Sequence, residues 1–139
     1  MNVNGKGSVG EALVLAHLTR LGYFVFKPFS DHAPVDLIVA DHEMRLARLQ
    51  VKYRKVERGK IILPLHSVIN GKKIGVNPGL LDAWAIYNPE FDVILYARKS
   101  DLRDGAFSVR VEAPKRKTRQ ALPLRNLEEF ADPARIFES

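Results

Sequence analysis

The sequence contains no cysteine, which excludes disulfides, thiolate metal sites and cysteine nucleophiles and leaves oxygen and imidazole groups as the strong metal ligands. The cytoplasm is the expected compartment. Its four histidines, His17, His32, His42 and His66, are scattered without metal-ligand spacing, so no zinc site is expected. No stretch approaches the roughly 18 to 20 apolar residues of a membrane helix, and residues 1–8 lack the apolar run of an export signal. Internal repeats and low-complexity segments are missing too.

What is present is enough apolar side chain for a core: 46% of the 139 residues are hydrophobic and 27% are charged, the balance of an ordinary single domain over residues 1–139. Residues 113–139, basic and punctuated by proline, are expected to pack on that domain or extend from it. The net charge of +6 is clustered. Lys52, Arg54, Lys55, Arg58, Lys60, Lys72 and Lys73 face Glu57 alone, and Lys115, Arg116, Lys117, Arg119 and Arg125 follow with no acid among them. The rest of the chain is therefore net negative. Clustered cations attract polyanions through counterion release, which makes nucleic acid the leading partner, with a merely solvated basic surface as the alternative. Arg54, Lys55, the Lys72-Lys73 loop and the run Lys115, Arg116, Lys117, Arg119 are the expected phosphate contacts.

Ser8 followed by Glu11 forms a capping-box pattern, and Gly22 after Leu21 forms a helix stop, so a helix is expected over residues 9–21. Strands are expected over 23–27 and 35–40, separated by a loop from Pro28 to Pro34, and over 45–53 after a turn at 41–44. Farther on, 60–65 reads as a strand, and Asn70-Gly71 and Pro78-Gly79 read as turns flanking an exposed basic loop. Residues 83–87 and 92–97 read as a hairpin divided at Asn88-Pro89, and 107–111 as a last strand. Short helices are expected at 127–130 and after Asp132. This order implies an α/β fold, a mixed sheet with helices packed beside it.

Four residues stand out chemically. On a helical wheel Glu11 falls within a stripe of Val14, Leu15 and Leu18, so a carboxylate faces the core side and needs a cation, hydrogen bonds or solvent access. Capping the Ser8 amide is its plain structural alternative. Asp36 interrupts an apolar strand on the face opposite Val35, Leu37 and Val39, in a position where an edge-strand charge would also serve against aggregation. Gln50 and Lys52, two apart, share one strand face, and Asp36 joins them if it pairs opposite an even-numbered residue such as Gln50. Converging, these groups suit phosphodiester hydrolysis: Asp36 as central metal ligand, the Gln50 side-chain oxygen and Val51 carbonyl beside it, Glu11 on a metal or its waters, and Lys52 on the attacking water. Hard oxygen donors favour Mg²⁺. Asp82 is expected as a strand-end charge, and Trp84, Tyr87 and Tyr96 as core.

The pattern Gly10-Glu11, Leu21-Gly22-Tyr23, Val35-Asp36-Leu37-Ile38-Val39 and Leu49-Gln50-Val51-Lys52 resembles the PD-(D/E)XK nucleases, most closely the small branch of group I intron homing endonucleases and more distantly the archaeal Holliday junction resolvases. The resemblance covers residues 7 to 55 and continues loosely through Leu81 to Tyr87. It implies a restriction-endonuclease-like fold, site-specific cleavage of DNA with Mg²⁺ or a substituting Mn²⁺, and a homodimer or tetramer. Gln50 departs from the usual acid of the third motif, and a neutral amide gives a metal less field; the homing branch is similar in carrying Gln-x-Lys. A structure-selective nuclease, a non-catalytic DNA-binding module and an RNA-directed nuclease stay open as alternatives.

Overall fold

Helix α1, Val3–Arg20, starts six residues earlier than the Ser8 and Glu11 pattern suggests, because Asn2 is the cap and accepts the Gly5 amide at 2.8 Å. The structure, a computed structural model, describes residues 2–64, 67–69, 72–74, 78–111 and 127–138, of which 3, 67–69, 72–74 and 78 by backbone alone. Gly5, Gly7 and Gly10 weaken the local helix propensity, so the helix is held by tertiary burial of Gly10, Val14 and Leu18 at successive fourth positions. Leu15 departs from the expected stripe and is exposed. Glu11 lies beside the buried line, in mid-helix, and caps nothing. The helix ends as expected: Gly22 takes φ +92°, with Gly22 N–H bonded to the Thr19 carbonyl and Tyr23 N–H to that of Leu18, the paired bonds of a Schellman motif.

Among the described residues nine strands follow in chain order: β1 Phe24–Phe26, β2 Leu37–Ala40, β3 Leu46–Tyr53, β4 Lys60–Pro64, β5 Ser67–Ile69, β6 Lys72–Ile74, β7 Ala83–Asn88, β8 Val93–Arg98 and β9 Ala106–Arg110. The central sheet has the order β1-β2-β3-β7-β8, antiparallel except for the parallel contact of β3 with β7. The β2–β3 turn is closed by Asp41, whose Oδ1 accepts the amides of Glu43 and Arg45 at 3.0 and 2.9 Å. The register Leu37↔Leu49, Ile38↔Arg48 and Val39↔Ala47 pairs odd with odd and even with even, so even-numbered side chains of both strands share a face.

The odd face of β2 and β3 buries Leu37, Val39, Ala47 and Leu49 beneath Val14 and Leu18 of α1, with Ile136 in the same cluster. The opposite face of β7 and β8 buries Trp84, Ile86, Leu95 and Ala97 against Ile61, Leu63, Phe107 and Val109, which belong to a separate two-stranded sheet of β4 and β9. Trp84, Tyr87 and Tyr96 are buried, as expected of core. Lys72 and Lys73, expected in a loop, lie in β6 paired with β5; their pairing was hidden because Asn70-Gly71 reads only as a turn. Pro78-Gly79, expected as a turn, opens a 3-10 helix, Pro78–Leu80. The expected C-terminal helices are the 3-10 turns Leu127–Phe130 and Pro133–Phe137, the latter capped by Asp132 accepting the Ala134 amide at 2.9 Å.

Two glycines, one within α1 and one just past its end, should respond oppositely to alanine. A Cβ on Gly10 would meet Tyr53 and Val51 side-chain atoms at 3.7 Å, ordinary contact, so Gly10→Ala is expected to be neutral or to stabilise by up to about 1 kcal/mol. Gly22→Ala is expected to cost about 1 kcal/mol at its positive φ. Urea midpoints at unchanged m-value check both.

Candidate active site

Asp36 stands one residue before β2, and two bonds fix it to β3. Its amide donates to the Leu49 carbonyl at 2.9 Å, and its Oδ2 accepts the Val51 N–H at 2.8 Å. That N–H belongs to the peptide joining Gln50 to Val51, so the carboxylate is tied to the backbone of the very strand that carries Gln50 and Lys52. Pro34 lies two residues upstream and carries no N–H to continue a ladder. The Asp36 side chain thus takes an N–H of β3 that lies just beyond the paired residues of β2.

Burial pushes the Asp36 carboxyl above the ordinary aspartate range; the Val51 bond opposes this, the charge of Glu11 adds to it, and Lys52 and Lys27 pull it back. Lys52 is half-buried, and desolvation, reinforced by Arg54, lowers its ammonium below the usual lysine value while Asp36 partly restores it. The charges of Glu11, Lys52 and Lys27 all act on Asp36, so the four groups are neighbours. Gln50 is partly buried on the same strand face as Lys52.

Glu11 reaches the group from α1. Its Oε1 is shut off from solvent, and Lys27 Nζ lies 2.6 Å away as an ion pair. Sequence reasoning missed Lys27; the only signal was its place at the end of the first strand pattern, before Pro28. No cluster of three or more His, Asp or Glu side chains is formed among the described residues. A divalent ion held here would take carboxylate oxygens from Glu11 and Asp36 and would need its third side-chain oxygen from Gln50. The donor set nevertheless fits a divalent ion: its oxygens are hard, one of them is buried against a cation, and burial together with the neighbouring Glu11 charge penalises ionisation of Asp36.

Asp82 is occupied elsewhere. Its Oδ2 accepts the amide and Nε of Arg48 at 2.7 and 3.0 Å and its Oδ1 accepts Nη2 at 3.1 Å, so it locks the start of β7 to β3, in keeping with a strand-end charge. His17 Nδ1 is bonded to the Tyr96 hydroxyl at 2.7 Å, and His32 and His42 are exposed; His66 lies outside the described residues.

Beside Lys52 opens a cleft of about 630 Å³ between the first turns of α1 and the end of β3, lined by Lys6, Gly7, Lys52, Arg54 and Lys55 among others. Arg54 and Lys55, expected as phosphate contacts, are therefore placed together. Lys6 was not anticipated, because the expected helix began after it. Starting the helix at Asn2 puts Lys6 one turn ahead of Gly10 on the sheet-facing line. The Lys72 and Lys73 side chains, and Lys115, Arg116, Lys117 and Arg119, lie outside the described residues.

Comparison with known proteins agrees with this architecture. The PD-(D/E)XK endonuclease family profile matches residues 1–131, and the chain belongs to that family. A bacterial homing endonuclease of known structure is similar at a TM-score of 0.69 over 94% of this chain and 88% of the other, with 16% sequence identity, a likeness of fold. No curated protein matches the sequence. The protein is thus a nuclease with a restriction-endonuclease-like α/β fold. No helix among the described residues is long and apolar enough to cross a membrane.

Because its folded value is raised, Asp36 costs stability where it is ionised. The cost is absent below the ordinary carboxylate range and grows as pH rises from there through the raised folded value. In EDTA, Asp36→Asn is expected to melt higher than the parent at pH 7, with the difference vanishing near about pH 3. Thermal melts across that window check the sign.

Proposed function

We propose that this protein is a divalent-metal-dependent DNA endonuclease of the homing type, hydrolysing phosphodiester bonds at a site formed by Glu11, Asp36, Gln50 and Lys52. The observation that carries the reading is the anchoring of Asp36 to the β3 peptide between Gln50 and Val51, with Lys52 close enough to act on its ionisation. Glu11, Asp36, the side-chain oxygen of Gln50 and the Val51 carbonyl would hold the ion. When bound, Mg²⁺, or Mn²⁺ in its place, supplies Lewis acidity toward the phosphate and makes water more acidic.

The protein's own groups do the rest. Lys52, its proton affinity lowered by burial and by Arg54, orients the attacking water, gives up its own proton and so becomes a free base more readily than an exposed lysine, and when charged offsets the negative charge growing on the phosphate. Lys6, Arg54 and Lys55 line the adjoining cleft and hold the strand by its phosphates, which fixes position and not sequence. Lys72, Lys73, Lys115, Arg116, Lys117 and Arg119 would add further phosphate contacts in the same reading. Cleaving both strands calls for two sites, which a homodimer or tetramer supplies and which closed symmetry matches to a near-palindromic target. The homing assignment is supported by the Gln-x-Lys pattern and by the likeness of fold. Gln50 favours one second reading, a DNA-binding module without hydrolysis, since its amide is a weaker ligand than a carboxylate.

Supercoiled plasmid incubated with Mg²⁺ or Mn²⁺ is expected to be nicked, with Asp36→Ala and Lys52→Ala each slower by about 100-fold or more. Binding without cleavage in either metal, on linear and branched DNA alike, would leave the binding module. Lys6→Ala, Arg54→Ala and Lys55→Ala are each expected to flatten the slope of log affinity against log salt by about 0.9, read from filter-binding titrations.

A further inference from the structure

Among the described residues Lys27 is the one cation paired with Glu11, and the proposed reaction gives it no task. It follows β1 directly, and its Nζ lies 2.6 Å from Glu11 Oε1. The two partners differ in exposure: the Lys27 side chain is 65% exposed and that of Glu11 is 25%. Its field also reaches Asp36 and Asp31. The ammonium therefore stands at the mouth of the carboxylate pair with its stem in solvent, where it is displaced at little cost in packing. Lys52 differs, being half-buried on the sheet.

We propose that Lys27 is a built-in counter-ion of the metal-free site, neutralising Glu11 until a divalent cation displaces it and frees it to contact a phosphate oxygen of the bound strand. Two neighbouring carboxylates without a cation repel each other and lose solvation. A tethered ammonium relieves both costs, and it also competes with the incoming ion for Glu11 Oε1. Lys27 thus acts as a positioning residue, holding Glu11 in the ligand position while weakening metal affinity. The inference rests on the reading of Glu11 and Asp36 as metal ligands.

The test measures Mn²⁺ binding by calorimetry, without DNA, on the parent, Lys27→Met, Lys27→Arg and Asp36→Asn, with melts in EDTA alongside. Lys27→Met is expected to melt lower than the parent in EDTA, to bind Mn²⁺ roughly three- to fivefold more tightly, and to lose its melting deficit when Mn²⁺ is added. Lys27→Arg, which keeps the charge, is expected to keep parental affinity. Affinity in Lys27→Met that is unchanged or weaker, while Asp36→Asn abolishes binding, overturns the role of Lys27 and leaves the metal site standing. Absence of Mn²⁺ binding in the parent and Lys27→Met alike contradicts the metal site itself and overturns this inference with it.

Discussion

The bond from the Val51 amide to the Asp36 carboxylate is the constraint on which the rest of the site depends. A strand end is ordinarily free to fray, and an aspartate one residue outside a four-residue strand has little else to hold it. The 2.8 Å bond, with the 2.9 Å bond from the Asp36 amide to Leu49, fixes the carboxylate to the peptide beside Gln50. The β2–β3 register, seated by Leu37, Val39, Ala47 and Leu49 in the core, then decides which face Lys52 shares with Asp36. A slip of one residue would turn those apolar side chains to the other face, so the packing that holds the sheet also sets the proposed chemistry.

The site works against the stability of the fold around it. Burial and the nearby Glu11 charge raise the Asp36 carboxyl, and burial lowers the Lys52 ammonium, so each group takes its charge less readily than it would in water. Shifts of this kind gather where function requires them. Lys52 and Lys27, the latter paired with Glu11, offset part of the cost at Asp36, whereas Arg54 adds to the shift at Lys52. Other acids are spent on structure, as Asp82 is on Arg48 and Asp41 on Arg45.

Much of this was legible in the sequence, because short-range rules govern it. Alternation along residues 45–53 separated Leu49 and Val51 from Gln50 and Lys52, Gly22 marked the helix stop, and Asn88-Pro89 marked the β7–β8 hairpin. The helix start was misread because Ser8 and Glu11 match a capping box while glycines at 5, 7 and 10 disguise the true first turns. Lys6 was lost with it, and Leu15 was placed on the wrong side by treating the stripe as wider than the buried line of Gly10, Val14 and Leu18. The separate β4–β9 sheet and the Lys27–Glu11 pair join residues distant in the chain, and no local pattern records such a meeting.

The central claim is that three oxygen-bearing side chains from α1, the start of β2 and β3 close around a point that seats a divalent cation. A crystal soaked in Mn²⁺ and measured at a wavelength sensitive to manganese tests it most directly. The account predicts an anomalous peak within about 2.5 Å of oxygens from Glu11, Asp36 and Gln50, with Lys27 moved off Glu11. A manganese peak elsewhere, or a fully loaded crystal with Lys27 still on Glu11 and none between these side chains, would contradict it.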